Sequence, residues 1–390
     1  MVITVKRYNA TRAIHALREG PSADDIIPPI NISVIYRFIG ITAPPIEEIK
    51  YGRENNPTVM RLEEALSAVE SANWCLAFNT GMSAISTLLL HMLPRAKRIV
   101  ASRLLYGSTR TLLEKMTRLN DKIELVYAGP PWDELVSSIR AGDIVFIETV
   151  GNPTLRIPPI DEIVELCSQK DCTVIVDNTF ATPVLYRPLE AGADIVVESM
   201  TKYIAGHNDV LGGLLCSNID SLKESIWDWR KLTGTIIQPL DAYLVARGLK
   251  TLHIRMQRSS ETAMEIARWL AERPEVVKVH YPGLPSHPDH STATRMFNEL
   301  YGGVVSFEIK GGAVAAKKFL KALKIIVPSP SLGGTESIAT YPYESSHRNL
   351  SEEEKYRLEI TPGLIRLSIG LEDVEDLITD IENALNASQA

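Results

Sequence analysis

Between about residues 98 and 217, short β-branched apolar runs alternate with amphipathic stretches, and this alternation restricts the fold more than any other feature. Runs at 98–101, 123–127, 144–148, 173–176 and 195–197 are separated by segments of helical spacing such as 132–140 and 160–168. V-I-V and I-V-V are continuous apolar runs, as expected of strands covered on both faces. The pattern predicts a mostly parallel sheet with helices on either side, an α/β architecture.

On either side of this region the texture changes. Pro28-Pro29 and Pro44-Pro45 disfavour helix and break ladders, so residues 1–45 read as an extended arm. Residues 58–70 have helical spacing. After Gln238 the spacing predicts one long helix to about Glu272, then strands in V-V-K-V-H, G-V-V-S-F-E-I and L-I-R-L-S-I, and a closing helix from Asp373. A chain of 390 residues, 45% hydrophobic, exceeds the usual size of a single core. The expected division is an arm (1–45), a large α/β domain (46–235) and a smaller α+β domain (236–390).

Several function classes are disfavoured. A net charge of −7 with scattered basic residues gives no footprint for nucleic acid or an anionic membrane. The longest apolar piece, 82–93, is interrupted by Ser83, Ser86, Thr87 and His91 and suits a buried helix rather than a membrane span. The first residues lack the charged-then-apolar order of a secretory signal, so a cytoplasmic location is expected. Four cysteines in so long a chain are not expected to form a disulfide framework. Neither Cys167 and Cys172 nor His287 and His290 have a second pair at ligand spacing, so no metal is expected.

The chemistry is concentrated in T-V-I-V-D-N-T-F (173–180) and I-V-V-E-S-M-T-K-Y (195–203). Ligands of open α/β sheets gather at the carboxyl ends of strands, so Asp177 and Lys202 are expected to face one crevice. Taken singly, the aspartate reads as a turn or cap and the lysine as solvated. Taken together they suit pyridoxal 5′-phosphate, which needs a lysine amine to condense with its aldehyde and a carboxylate to keep its ring nitrogen protonated. T-G-M-S at 80–83, opening an apolar helix, offers the backbone N–H groups of Gly81 and Met82 to a phosphate, although the same motif also serves as a plain cap. Ser199 and Thr201 add hydroxyls beside Lys202. No dinucleotide fingerprint or P-loop is present.

These residues resemble the Cys/Met metabolism family of pyridoxal-phosphate enzymes, and the resemblance runs from about Pro28 to Leu385. It rests on Y-G-R-E-N-N-P-T (51–58), T-G-M-S-A (80–84), L-Y-G-S-T (105–109), E-T-V-G-N-P-T (148–154), V-D-N-T-F-A-T-P (176–183), S-M-T-K-Y (199–203), S-L-G-G (331–334) and L-I-R-L-S-I-G-L-E (364–372). The resemblance implies a fold type I, aspartate-aminotransferase-like architecture with the cofactor covalently on Lys202 and Asp177 at its ring nitrogen. It further implies that Gly81, Met82, Ser199 and Thr201 hold the phosphate, joined by Tyr51 and Arg53 from a neighbouring subunit, in a homotetramer built from two dimers. Tyr106 would stack on the ring and assist proton transfer, Asn152 would lie near the cofactor hydroxyl, and Ser331 near Lys202. Arg366, with Asn152 and Ser331, would hold the substrate α-carboxylate, and an arginine between Ile365 and Leu367 needs an anionic partner on physical grounds alone. Without the resemblance, Y-G-R reads as surface, Tyr106 as an ordinary interface tyrosine and Asn152-Pro153 as a turn.

The implied activity is γ-replacement or γ-elimination on sulfur amino acids. Cystathionine γ-synthase chemistry, joining an activated homoserine to cysteine, is expected ahead of cystathionine γ-lyase. Methionine γ-lyase and O-acylhomoserine sulfhydrylase stand behind these. A non-catalytic cofactor or amino-acid sensor is the rival from another class, and it would not need Lys202, Tyr106 and Arg366 together. Four positions depart from common family patterns: Glu198 where histidine is frequent, Ser108 for the cysteine of methionine γ-lyases, Pro330 for a glutamate, and Thr111, beside Arg110, for an arginine.

Overall fold

The computed structural model describes residues 10–16, 26–41, 43–345, 348 and 350–389. Much of the expected N-terminal arm lies outside these residues. Two sheets organise the rest. The first has seven strands: β1 (Trp74–Phe78), β2 (Arg98–Ser102), β3 (Glu124–Ala128), β4 (Ile144–Glu148), β5 (Thr173–Asp177), β6 (Ile195–Glu198) and β7 (Gly213–Ser217), in the order β1-β7-β6-β5-β4-β2-β3. β2 to β6 are mutually parallel, and β7 runs antiparallel to both β6 and β1.

Alternate residues of the central strands enter different cores, as expected for a sheet with helices on both sides. Val145, Ile147, Val174 and Val176 pack on one face with the helices Pro57–Glu70 and Ile160–Lys170. Ile144, Phe146 and Ile175 pack on the other with Gly81–Met92 and Asp220–Thr233. The apolar piece beginning near Met82 is thus a buried helix. Among the described residues no helix is long and apolar enough to cross a membrane.

The second sheet has five strands: β8 (Val276–His280), β9 (Val304–Ile309), β10 (Val327–Pro328), β11 (Ile338–Thr340) and β12 (Leu364–Ser368), in the order β10-β11-β12-β9-β8. The chain closes with the helix Val374–Gln389.

Beyond the short helix Ala10–His15 within the arm read as extended, two features differ from expectation. The single helix predicted to Glu272 is two helices, Pro239–Leu249 and Leu252–Ala271. The Gly248 carbonyl, which would continue the first ladder, instead accepts from Thr251 N (3.1 Å) and from Arg255 Nη2 (2.7 Å). Arg255 also donates to the carbonyls of Tyr203 (2.5 Å) and Ile204 (3.2 Å), tying the helix break to the turn after Lys202.

The second difference is a disulfide, Cys75–Cys216, between residues directly opposed in the antiparallel β1–β7 pair. It is one link rather than a framework, and it joins positions 141 residues apart. A loop of that length removes about 5 kcal/mol of unfolded-chain entropy in the simplest treatment. Cys75→Ala is therefore expected to lower the unfolding midpoint under oxidising conditions. Reductant should bring the wild-type protein close to the variant; identical midpoints with and without the link would contradict this.

Candidate active site

The site lies along one edge of the seven-stranded sheet, where the carboxyl ends of β1, β2, β4, β5 and β6 converge. Asp177 ends β5 and is in register with Glu148 at the end of β4. Lys202 follows β6 in the turn S-M-T-K, whose backbone closes with Lys202 N donating to Ser199 O at 3.1 Å. Thr179 ties the two segments together: its hydroxyl donates to Asp177 Oδ1 (2.6 Å) and accepts from Ser199 N (2.8 Å). Burial pushes the Asp177 carboxyl above the usual range, and the two hydrogen bonds from Thr179 oppose that shift.

A cavity of about 1060 Å³ opens over this edge. Lys202, half-buried, projects into it and donates from Nζ to Ser331 Oγ at 2.7 Å. Burial first, and the positive Arg366 second, lower the lysine pKa, favouring the free amine. Ser331 holds a left-handed backbone, φ 88°, which a residue with a Cβ adopts only under constraint. The constraint is visible in its contacts, since its hydroxyl meets Lys202 and its carbonyl accepts from Arg366 Nη2 at 2.6 Å.

Arg366, in the middle of β12, is only 4% exposed. Its acceptors are all neutral: Asn152 Oδ1 (2.8 Å), the Ser331 carbonyl and Thr340 Oγ1 (3.2 Å). Among the described residues its buried Nε has no hydrogen-bond partner, and burial lowers its pKa to about 10. A guanidinium in that state is a ready receptor for a carboxylate.

At the far end of the cavity the helix Gly81–Met92 begins. Thr80 caps it by accepting from Ser83 N (3.0 Å), which leaves the first-turn N–H groups of Gly81 and Met82 for another acceptor. Backbone crowding here demands glycine. A Cβ on Gly213 would come within 2.2 Å of the Thr80 carbonyl, and one on Gly81 within 3.0 Å of Ser199 Cβ. The Thr201 hydroxyl is engaged with Gly212, accepting from its N–H at 3.0 Å.

Ten of the twelve residues singled out from the sequence line this one cavity: Gly81, Met82, Tyr106, Asn152, Asp177, Ser199, Thr201, Lys202, Ser331 and Arg366. Tyr51 and Arg53 do not. They lie exposed elsewhere on the chain, with the guanidinium over the Tyr51 ring at 5.3 Å and donating to the Lys231 carbonyl at 2.8 Å. Tyr106 is 46% exposed at the cavity wall.

Residues the sequence reading did not assign also shape the site. Glu148, whose carboxyl is raised well above its usual range by burial and then by Asp177, accepts from Tyr106 N at 2.6 Å and so fixes the start of the helix Gly107–Arg118. Thr179 and Thr340 hold Asp177 and Arg366. Thr179 was present only as a letter inside a quoted motif, and Thr340 lies outside all of them. Glu198 is buried and accepts from Asn178 Nδ2 at 2.9 Å; burial and the neighbouring Glu70 push its carboxyl well up, favouring the protonated form.

A sequence model of the Cys/Met metabolism PLP-dependent enzymes matches residues 10–386. The cystathionine gamma-synthase of Mycobacterium tuberculosis is 38% identical over 96% of each chain. The cystathionine gamma-lyase of Saccharomyces cerevisiae is 37% identical, again over 96% of each. Among solved structures, cystathionine gamma synthase from Xanthomonas oryzae pv. oryzae in complex with cystathionine matches with a TM-score of 0.90 at 34% identity, covering 97% of this chain and 98% of that one.

Proposed function

This chain belongs to the Cys/Met metabolism family of PLP-dependent enzymes and has their fold type I architecture, and on that premise we propose that it joins an activated homoserine to cysteine by γ-replacement, forming cystathionine. One juxtaposition carries the reading: a deprotonation-prone lysine, a strand-end carboxylate and a buried arginine with only neutral acceptors share a single cavity.

The residues fit pyridoxal phosphate. The crowded Gly81 turn is a cradle that a Cβ would fill, and the helix behind it directs its first N–H groups outward. In this reading Gly81, Met82, Ser199 and Thr201 hold the phosphate, Asp177 pairs with the ring nitrogen, Tyr106 stacks on the ring, Asn152 lies near its hydroxyl, and Lys202 carries the cofactor covalently. Bound there, the cofactor draws electron density from the substrate α-carbon and acidifies its proton.

The chain's own groups do the rest. Arg366, with Asn152 and Ser331, grips the α-carboxylate and so orients the α-proton toward Lys202, while Ser331 Oγ holds the amine on the cavity side. The Lys202 amine takes the α-proton, passes it on and is thereby freed to take a β-proton; both are restored to the carbon skeleton once the C–S bond has formed, with Tyr106 assisting at the cavity wall. The γ C–O bond breaks, a C–S bond to cysteine forms, and the thiol proton accompanies the departing acid.

Assembly completes the proposal. Residues 26–41 expose a run of large apolar side chains, among them Ile32 (80%), Ile39 (84%) and Ile41 (83%), beside Tyr51, whose backbone bridges Ile35. That surface supports a dimer in which Tyr51 and Arg53 reach the partner's phosphate site; the proposal extends this to a homotetramer of two such dimers acting in the cytoplasm. Residues 46–235 would form the cofactor-binding domain and 236–390 the smaller one.

The test incubates the holoenzyme with each homoserine ester, with and without cysteine, beside parallel reactions with cystathionine and methionine. Cystathionine formation exceeding 2-oxobutanoate release is the expected result. The reverse ranking, with faster cleavage of cystathionine, would assign γ-elimination to the same site.

A further inference from the structure

The turn that carries Asn152 is anchored by residues far from it in sequence. It follows β4 over residues 151–157 and is closed by Leu155 N donating to Gly151 O (2.8 Å) and Gly151 N to Arg156 O (2.9 Å). Leu155 within it has a left-handed backbone, φ 55°, an unfavourable conformation for leucine unless its surroundings impose it.

Those surroundings belong to the second sheet and to the loop after β8. Ser306, buried in β9 and in register with Arg366 of β12, donates from Oγ to Pro153 O at 2.6 Å. Asp289 holds the other end of the turn. Its Oδ2 accepts from Arg156 Nε (2.6 Å) and Ile157 N (2.9 Å), and its Oδ1 from Arg156 Nη2 (3.2 Å). The carboxylate is buried, so this fork meets little competition from water. Asp289 is itself fixed, its N–H donating to His287 Nδ1 at 3.2 Å and its carbonyl accepting from Ala293 N at 2.9 Å. Although it precedes the helix His290–Met296, its side chain makes no cap bond there, so the carboxylate serves the turn. Neither Arg156 nor Asp289 lines the cavity.

We infer that Asp289 is a positioning residue for substrate: through Arg156 and Ile157 it sets the turn whose Asn152 Oδ1 accepts from Arg366 Nη1, and so aims the guanidinium at the α-carboxylate. The contacts are continuous, from Asp289 to Arg156, along the turn to Asn152, and from Asn152 to Arg366 at 2.8 Å. Ser306 and Arg366 share one pair of strands, so the receptor and one anchor of the turn are built as a unit. Asp289, from a loop, fixes the angle of the turn against them. This rests on the reading of Arg366 as the receptor for the substrate α-carboxylate.

The test titrates the holoenzyme, followed by its visible absorbance, with L-2-aminobutyrate and with 1-aminopropane, the same skeleton without the α-carboxylate. Asp289→Asn keeps the shape but cannot serve all three donors. It should weaken L-2-aminobutyrate by about tenfold while 1-aminopropane changes by less than about twofold. Arg156→Lys keeps the charge and the Ile157 bond but loses the fork; it should fall between, and it carries the comparison if Asp289→Asn does not fold. In an Asn152→Ala background either change should add little, because the contact it acts through is gone. Equal weakening of both ligands, or a fully additive loss in the Asn152→Ala background, would make Asp289 a general brace and overturn the inference. An Arg366→Ala enzyme that lost affinity for L-2-aminobutyrate, beside an Asp289→Asn enzyme that did not, would overturn the inference alone. Unchanged affinity in Arg366→Ala would overturn it together with the carboxylate reading beneath it.

Discussion

Lys202→Ala is expected to leave a folded protein that purifies without the yellow colour of the lysine-bound cofactor and turns over at least roughly a thousandfold more slowly. The magnitude follows from two losses at one atom. The amine is the attachment point, and it is also the base for both protons that must leave the substrate. Arg366 does not stand in for it, because it is held by Asn152, Ser331 and Thr340 and retains its proton at physiological pH. A small primary amine added in solution should restore part of the turnover, since it replaces the missing base without the tether. Absorbance spectra and steady-state rates with an activated homoserine decide the matter. A variant that kept both the visible band and the rate would remove Lys202 from the mechanism.

Arg366→Ala should lower kcat/KM by roughly 10²- to 10³-fold, mainly through KM, while the protein keeps its colour. Removing one partner of a buried, hydrogen-bonded charge pair costs about 3–5 kcal/mol. The effect should approach that range here because the substrate carboxylate would be the sole anion answering the guanidinium in its pocket. Arg366→Lys keeps the charge but loses the fork, and should fall between wild type and alanine. Arg366 also braces the Asn152 side chain and the Ser331 carbonyl. A substrate analogue lacking the α-carboxylate separates the two roles, since its binding should change little. If that analogue lost as much as the full substrate, Arg366 would be a brace and not a receptor.

The parallel core was legible because each of its strands is continuously apolar, and continuous apolar runs at this spacing have few other uses. β1 and β7 were not, since W-C-L-A-F and G-L-L-C-S contain no β-branched residue and become strands by pairing with each other. The same pairing joins Cys75 to Cys216, a contact that no spacing rule connects across 141 residues. At the site, Lys202, Asp177 and Arg366 stand out because each is a charge within or just after an apolar run. Glu148 also closes an apolar run, but its role was not legible, since its partner is a backbone N–H 42 residues away; Thr179 carries no charge, and its partner is a carboxylate two residues back. Hydrogen bonds to backbone leave no mark on the partner's identity. The break after Leu249 was hidden for the same reason, because it depends on where the Arg255 side chain ends.

The closeness of a permanent cation to Lys202 makes the amine's proton affinity depend on whether the cleft is filled. In the empty cleft, burial and the unbalanced guanidinium both disfavour a charged lysine. An arriving carboxylate cancels the second influence and leaves the first, so basicity increases just as a proton becomes available to be taken. Timing of this kind needs no moving part: once the amine is released, occupancy itself adjusts the base.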